Sequence, residues 1–280
     1  MTARPVVMGV INVTPDSFSD GGEWLEPEAA IAHGQLLVAQ GADLVDVGGE
    51  STRPGAERPS VEEELRRVLP VVTALAAAGL TVSIDTMRAA VAAAALDAGA
   101  TMVNDVSGGL ADPDMVGLVA ERGVDYVAMH WRGHSADMQS RAVYDDVVAD
   151  VRAALLARAS ALVAGGLAPS RIVLDPGFGF AKNAEHNWAL LRSLDVLVGL
   201  GHRLLVGTSR KAFLGRVGRV PGAQRPPLDR DLVTAVTTTY AALAGVWCVR
   251  VHDVPTTMDA LDVAAALDPA ADPSSGGGLP

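Results

Sequence analysis

Eight short apolar runs recur along the chain at fairly even intervals, and nearly all of them end in polar residues or glycine. Val6–Val10 leads to Asn12, Leu44–Val47 to Gly48-Gly49-Glu50-Ser51, and Thr81–Ile84 to Asp85. Met102–Val103 leads to Asn104-Asp105, Tyr126–Met129 to His130, and Ile172–Leu174 to Asp175. Leu204–Val206 runs into Gly207-Thr208-Ser209-Arg210-Lys211, and Val246–Val249 into Arg250-Val251-His252. Runs of this length read as buried strands, and the longer segments between them carry helical spacing. Those helices are expected near Pro27–Gln40, Val61–Ala77, Ala89–Ala98, Pro113–Arg122, Tyr144–Ala164, Ala184–Val198, Asp231–Ala244 and Thr256–Leu267. Ser60 ahead of Val61-Glu62-Glu63 is an N-cap signal followed by acids that suit the positive helix end. Gly41, Gly79, Gly99, Gly123 and Gly165 stand where helix-terminating glycines belong.

Eight strand–helix units in 280 residues come to about 35 residues each, the pattern of a single (β/α)8 barrel of the α/β class. A doubly wound open sheet is the alternative, but the chain has neither a Gly-x-Gly-x-x-Gly fingerprint nor a phosphate-binding P-loop. No stretch rich in Pro, Gly or Ser divides the chain, so residues 1–267 read as one barrel domain. Gly215–Asp229 reads as a long loop after the seventh strand, and residues 268–280 as a disordered C-terminal tail.

Composition narrows the function classes. Hydrophobic residues make up 49% and charged residues 20%, enough for a packed core and little sign of disorder. The formal net charge of −11 argues against a nucleic-acid or membrane surface, since both need clustered positive charge. An anionic ligand would therefore have to be met by local groups: an arginine, a lysine, a helix N-terminus or a metal ion. The one cysteine, Cys248, excludes an intramolecular disulfide. The N-terminus enters the first strand almost at once, and no apolar stretch is long enough to span a bilayer. A soluble, cytoplasmic protein is expected.

In such a barrel the active site forms at the C-terminal ends of the strands, and alternation decides which side chains face the axis. Val246, Cys248, Arg250 and His252 share one face of strand eight. The same rule aligns Ser83 with Asp85, Met102 with Asn104, Val173 with Asp175, and Gly207 with Ser209 and Lys211. A mouth with two carboxylates, a carboxamide, a lysine, an arginine and a histidine can hold a flat polar heterocycle and an anionic leaving group. Taken singly, Asp85 and Asp175 also fit as helix caps or loop acids, Lys211 as a solvated loop lysine, and Cys248 as an inert core residue. The loops Asn12–Gly22 and Gly48–Gly55 suit lids that exclude water, although plain surface loops remain an alternative for both.

From Val6 to Leu267 the chain resembles the dihydropteroate synthase family. The resemblance lies in Gly9–Gly22 (GVINVTPDSFSDGG), Asp46–Gly55 (DVGGESTRPG), Ser83–Thr86, Asn104–Gly109, Leu174–Phe180 (LDPGFGF), Thr208–Lys211 and Arg250–Asp253. It implies a folate-pathway transferase that joins 7,8-dihydropterin-6-ylmethyl diphosphate to p-aminobenzoate by dissociative substitution, with Mg2+ as cofactor and sulfonamides as competitive inhibitors. It also implies that Asp85, Asn104, Asp175, Lys211, Arg250 and Met129 bind the pterin. Thr52, Arg53, Pro54, Phe180 and Ser209 would form the p-aminobenzoate pocket, with its carboxylate near a helix N-terminus beginning at Ser209. Asn12, Arg250 and His252 would hold diphosphate, Asn12 also serving the metal, and the Arg250 plane would stack on the pterin while its edge meets diphosphate. Catalytic roles fall to Asn12, Lys211, Arg250 and His252, with the lid acids Asp16 and Asp20. Some relatives have a serine after the lysine where this chain has Ala212, which puts one side-chain contact in doubt. A homodimer through outer helices near strands six to eight is expected. The alternatives are a methyltetrahydrofolate:corrinoid methyltransferase, which needs neither Asn12 nor Lys211, and a non-catalytic pterin-binding paralogue, which would be expected to have lost some mouth residues. A Schiff-base aldolase built on Lys211 lacks any residue that specifies a carbonyl substrate.

Overall fold

Each apolar run forms a strand and each helix-spaced segment packs over it, as seen in a computed structural model that describes residues 4–14, 27–51, 58–133, 138–218 and 223–267. The first half comprises β1 (Val6–Asn12), α1 (Pro27–Ala39), β2 (Leu44–Gly48), α2 (Val61–Ala77), β3 (Val82–Asp85), α3 (Ala89–Asp97), β4 (Met102–Asp105) and α4 (Met115–Arg122). The second comprises β5 (Asp125–Met129), α5 (Val147–Ala164), β6 (Ile172–Asp175), α6 (Ala184–Arg192), α7 (Leu194–Val198), β7 (Arg203–Val206), α8 (Asp231–Leu243), β8 (Cys248–Val251) and α9 (Val254–Leu267). All neighbouring strands pair in parallel and in sequence order, and β8 closes on β1 with Val6 opposite Cys248 and Met8 opposite Arg250. This is the expected (β/α)8 barrel.

Two apolar layers build it. Met8, Leu44, Met102, Val127, Val173, Leu205 and Cys248 meet on the axis, one from each strand except β3. The latter sets the small Ser83 in register between Asp46 and Met102. The opposite strand faces, among them Val7, Val45, Ile84, Val103, Leu174 and Val249, pack against the helices. Close approach between layers is set by small residues. A Cβ on Gly34 of α1 would come within 2.8 Å of Ile11 and 2.9 Å of Leu75. At the N-terminal end of the barrel, Arg203 donates to both oxygens of Asp125 at 2.8 and 2.9 Å, with the Trp247 ring 4.6 Å from the guanidinium carbon.

Several boundaries differ from the sequence reading. Asn12, Asp85, Asn104, Asp105 and Asp175 lie inside strands rather than after them, because a parallel ladder continues as long as backbone partners are available, whatever the side chain. Strand eight likewise starts two residues later than expected. The fifth helix begins at Val147, where Asp146 accepts from the N–H groups of Val148 and Ala149, and this frees Tyr144 for the loop that precedes it. Ser193 interrupts the sixth helical segment, giving α6 and α7. Of the expected terminating glycines, Gly165 keeps a helical-side φ of −77°, and its neighbour Gly166 turns the chain at +98°. The 215–229 segment is partly ordered as 3-10 turns at Ala212–Arg216 and Leu228–Arg230. The expected tail, 268–280, lies outside the described residues.

Helix α2 separates packing from capping in one element. Leu75 is fully buried, and Ser60 accepts the Glu63 N–H at 3.2 Å. Leu75→Ala should cost about 2–5 kcal/mol and Ser60→Ala about 0.5–2 kcal/mol in urea unfolding. An equal loss from both would contradict this ranking.

Candidate active site

The last polar residues of the strands converge above the axial layer. Period-two alternation carries Leu44 to Asp46, Ser83 to Asp85, Met102 to Asn104, Val173 to Asp175 and Cys248 to Arg250. Arg250 is the centre of the group. Its Nε donates to Asp46 Oδ2 at 2.7 Å and its Nη2 to Asp85 Oδ2 at 2.8 Å. Asn104 Nδ2 donates to the same Asp46 oxygen at 2.8 Å. Four strands, β2, β3, β4 and β8, are thereby tied into one polar network.

Asp46 was not singled out by the sequence reading, although it opens the DVGGESTRPG motif and sits two residues after the inward Leu44. It is fully buried, and its Oδ1 has no hydrogen-bond partner among the described residues. The expectation for Arg250 changes with it. Two of the three guanidinium nitrogens are held by carboxylates, so Nη1 is the nitrogen left for a ligand.

Burial raises Asp85 to about 7, opposed by Arg250 and reinforced by the Asp46 carboxylate. Asp175 is also raised by burial, against the Gly177 N–H that Oδ1 accepts at 2.7 Å and the nearby Lys211. Burial and the neighbouring Arg250 lower Lys211 to about 8, while Asp175 and Asp85 pull the other way. For Arg250, burial works against the charge but Asp46 and Asp85 outweigh it, so its pKa is raised.

Lys211 follows β7 and places Nζ 4.0 Å from the centre of the Phe180 ring. Its turn is anchored on α8. Arg210 adopts a left-handed φ of 58° and pairs with both oxygens of Asp231 at 2.7 Å. Ser209 Oγ accepts the His252 backbone N–H at 3.1 Å and lies 2.9 Å from His252 Nδ1. The hydroxyl holds both the backbone and the ring of His252, and where its proton points at Nδ1 the imidazole carries its own proton on Nε2, the tautomer that can donate to an anion. Ser209 thus orients His252. The expected helix N-terminus at Ser209 is replaced by the short 3-10 turn starting at Ala212, and α8 begins only at Asp231.

Asn12 ends β1 opposite Gly48 of β2. Met129 joins Met87 and Val106 in an apolar wall, with Ala111, Trp131 and Phe180 against it. Only Met129 and Phe180 of this wall were anticipated. Lys182, also unanticipated, is buried beneath the loop after β6. Asp16, Asp20, Thr52, Arg53 and Pro54 lie outside the described residues. A groove lined by Leu156, Ala159, Val163, Pro169 and His202 lies at the N-terminal ends of β6 and β7, away from this chemistry.

Residues 8–252 match the family model described as pterin binding enzyme. The chain is 57% identical over 269 residues to dihydropteroate synthase of Mycobacterium leprae, covering 95% of each. Dihydropteroate synthase of Xanthomonas albilineans with 4-aminobenzoic acid is 45% identical, with a TM-score of 0.88 over 96% of this chain and 94% of that one. The Yersinia pestis enzyme in a sulfonamide drug complex is 41% identical, with a TM-score of 0.88 over 95% of each.

Removing Asp46 leaves the part-buried Arg250 and the buried Asn104 short of an acceptor. Asp46→Ala should cost about 3 kcal/mol or more in urea unfolding, and Asp46→Asn less. A loss below about 1 kcal/mol for Asp46→Ala would show that Arg250 does not depend on this partner.

Proposed function

We propose, from the premise that this chain belongs to the pterin-binding enzyme family and within it to the dihydropteroate synthases, that the polar mouth around Arg250 is its catalytic centre. The protein is a transferase of folate biosynthesis, joining 7,8-dihydropterin-6-ylmethyl diphosphate to p-aminobenzoate with release of pyrophosphate. Sulfonamides compete for the p-aminobenzoate subsite. The observation that carries the site assignment is the convergence of Asp85, Asn104, Asp175 and Lys211 around one part-buried, doubly paired arginine.

Each group has a job its chemistry permits. Asp175 accepts from the pterin ring N–H and exocyclic amine. Asn104 keeps Oδ1 and its second N–H for the same ring edge, and Asp85 accepts from the ring N–H on the reacting side. Lys211 donates to the ring carbonyl and adjacent nitrogen, held in place over Phe180. His252, Arg250 Nη1 and Asn12 meet the diphosphate, so charge that develops on the leaving group finds fixed donors in a site shielded from water. Departure then leaves a delocalised pterin methylene cation, which the neutral aniline nitrogen attacks. In this reading Thr52, Arg53, Pro54, Phe180 and Ser209 border the aniline, and Asp16 and Asp20 act from the first loop.

Among the described residues no three His, Cys, Asp or Glu side chains gather into a cation cage. Asn12 offers a single oxygen, which suits Mg2+ carried chiefly by a substrate diphosphate. Bound there, Mg2+ would offset charge on the leaving group.

The second proposal concerns assembly. Along α8 and just before it, Leu228, Leu232, Val236, Tyr240 and Leu243 are all exposed, an apolar stripe continued by Val263 and Leu267 of α9. Such a stripe suits a symmetric self-contact, and we assign it to a homodimer. No helix among the described residues is long and apolar enough to cross a membrane, and we propose a cytoplasmic location.

A coupled assay for pyrophosphate and dihydropteroate tests the catalytic reading. Asp175→Asn and Lys211→Ala should each lower kcat/KM for the pterin by about 10- to 100-fold or more; unchanged turnover would sink the site assignment. Lys211 donates only when protonated, so kcat/KM should fall above about pH 8. Lys211→Arg should move that limb to higher pH, and an unmoved limb would assign it to another group. Wild-type protein should sediment as a dimer at micromolar concentration and Leu232→Asp/Val236→Asp as a monomer; a monomeric wild type contradicts the assembly.

A further inference from the structure

The loop after β6 runs Asp175-Pro176-Gly177-Phe178-Gly179-Phe180-Ala181-Lys182. It folds tightly, with left-handed φ angles at Gly177 (71°), Gly179 (81°) and Ala181 (46°). A Cβ on Gly177 would meet the His130 carbonyl oxygen at 2.7 Å, so the loop lies directly on the end of β5. Polar side chains hold it from several directions. Asn187 Oδ1 accepts the Gly179 N–H at 2.7 Å, and Tyr144 OH donates to the Ala181 carbonyl at 3.0 Å.

Lys182 makes the densest set of contacts. Only 3% of it is exposed, and its Nζ reaches Gly177 O at 3.0 Å, Phe180 O at 3.1 Å and His130 Nδ1 at 3.0 Å. Burial lowers Lys182 to about 7, with Asp175 pulling the other way, and in the charged form its three ammonium donors meet three acceptors, the condition under which a buried lysine is tolerated. Burial and the neighbouring Lys182 lower His130 to about 2, so the imidazole is neutral and its Nδ1 serves as an acceptor. One of these bonds ends on the backbone of Phe180, whose ring faces Lys211.

We propose that Lys182 is a positioning residue for the p-aminobenzoate subsite, drawing Gly177 O, Phe180 O and His130 Nδ1 onto one ammonium so that the Phe180 ring stands at a fixed place against Lys211. The inference rests on the assignment of Phe180 to that subsite. It also gives the end of β5 a function, since His130 supplies one of the three acceptors.

Steady-state kinetics with both substrates varied, and inhibition by sulfanilamide, test it on wild type, Lys182→Met, Lys182→Arg, His130→Leu and Phe180→Leu. Lys182→Met should raise KM for p-aminobenzoate and the sulfanilamide inhibition constant about tenfold. KM for the pterin diphosphate and kcat should change less than about threefold, since the pterin edge keeps its own partners. Lys182→Arg, which restores donors, should recover part of the loss. Reduced active fraction with both KM values unchanged would overturn the proposal, because a lysine that serves only stability behaves that way. If Lys182→Met fails to fold, His130→Leu carries the test. It should raise KM for p-aminobenzoate about threefold, and an unchanged KM overturns the proposal. No dihydropteroate from wild type, or an unchanged KM in Phe180→Leu, overturns the subsite reading instead.

Discussion

One cation held between a buried and a part-buried carboxylate sets the geometry of the mouth. Arg250 on β8 bonds Asp46 on β2 and Asp85 on β3, residues separated by 204 and 165 positions in sequence. The pairing exists only because the barrel closes, and it fixes the closed ends relative to one another. Drawing three charges out of water, one of them wholly, is costly unless the geometry is good and further hydrogen bonds complete it. Asn104 supplies one of those bonds from β4. Beneath them lies the apolar layer from Met8 to Cys248, which keeps water out and strengthens every charge interaction above it.

From that constraint follow the properties of the neighbouring groups. In a chain of net charge −11, the charge available to an anion at the mouth is local, supplied by Arg250 on β8 and Lys211 after β7. Arg250 and Lys211 stand among Asp46, Asp85 and Asp175, so the mouth is close to balanced and responsive to a bound ligand. Burial acts on both signs at once, raising Asp85 and Asp175 and lowering Lys211. An incoming diphosphate would favour the charged lysine, and a pterin edge would satisfy carboxylate oxygens that protein groups leave open. The site is prepared in the sense that donors and acceptors are in position before the ligand arrives.

Alternation made much of this legible in the sequence. Carrying the inward face of each strand to its end located Asp85, Asn104, Asp175 and Arg250, and the same rule applied to Leu44 reaches Asp46. That residue was overlooked because a lone aspartate between Val45 and Val47 carries no spacing signal of its own. Met87 and Val106 were reachable too, since each lies one alternation step beyond Asp85 and Asn104, past the point where an apolar residue is noticed. Lys182 had no such route. Its partners include two backbone carbonyls, which leave no mark on residue identity, and in sequence it resembles any loop lysine. Strand limits were drawn short for the converse reason, because a polar side chain does not end a backbone ladder.

Backbone strain in the described residues is gathered on two loops, those after β6 and β7, that face each other at the mouth. Apart from glycines, only Ala181 and Arg210 have left-handed φ angles, at 46° and 58°. Such conformations cost about 1–3 kcal/mol each for residues that carry a Cβ, so they persist only where neighbours over-determine them. Both positions meet that condition. Arg210 is held by the Asp231 carboxylate and the Arg230 guanidinium that donates to its carbonyl at 2.8 Å. Ala181 lies between the carbonyl bound by Lys182 and its own carbonyl bound by Tyr144. The residue before one strained position is Phe180, and the residue after the other is Lys211; these two side chains meet at 4.0 Å. The contact between an aromatic face and a cation is itself worth only about 0.5–2 kcal/mol, too little to organise two loops. Ion pairs and buried donors outside the mouth therefore set the spacing, and the contact reports a geometry imposed from behind.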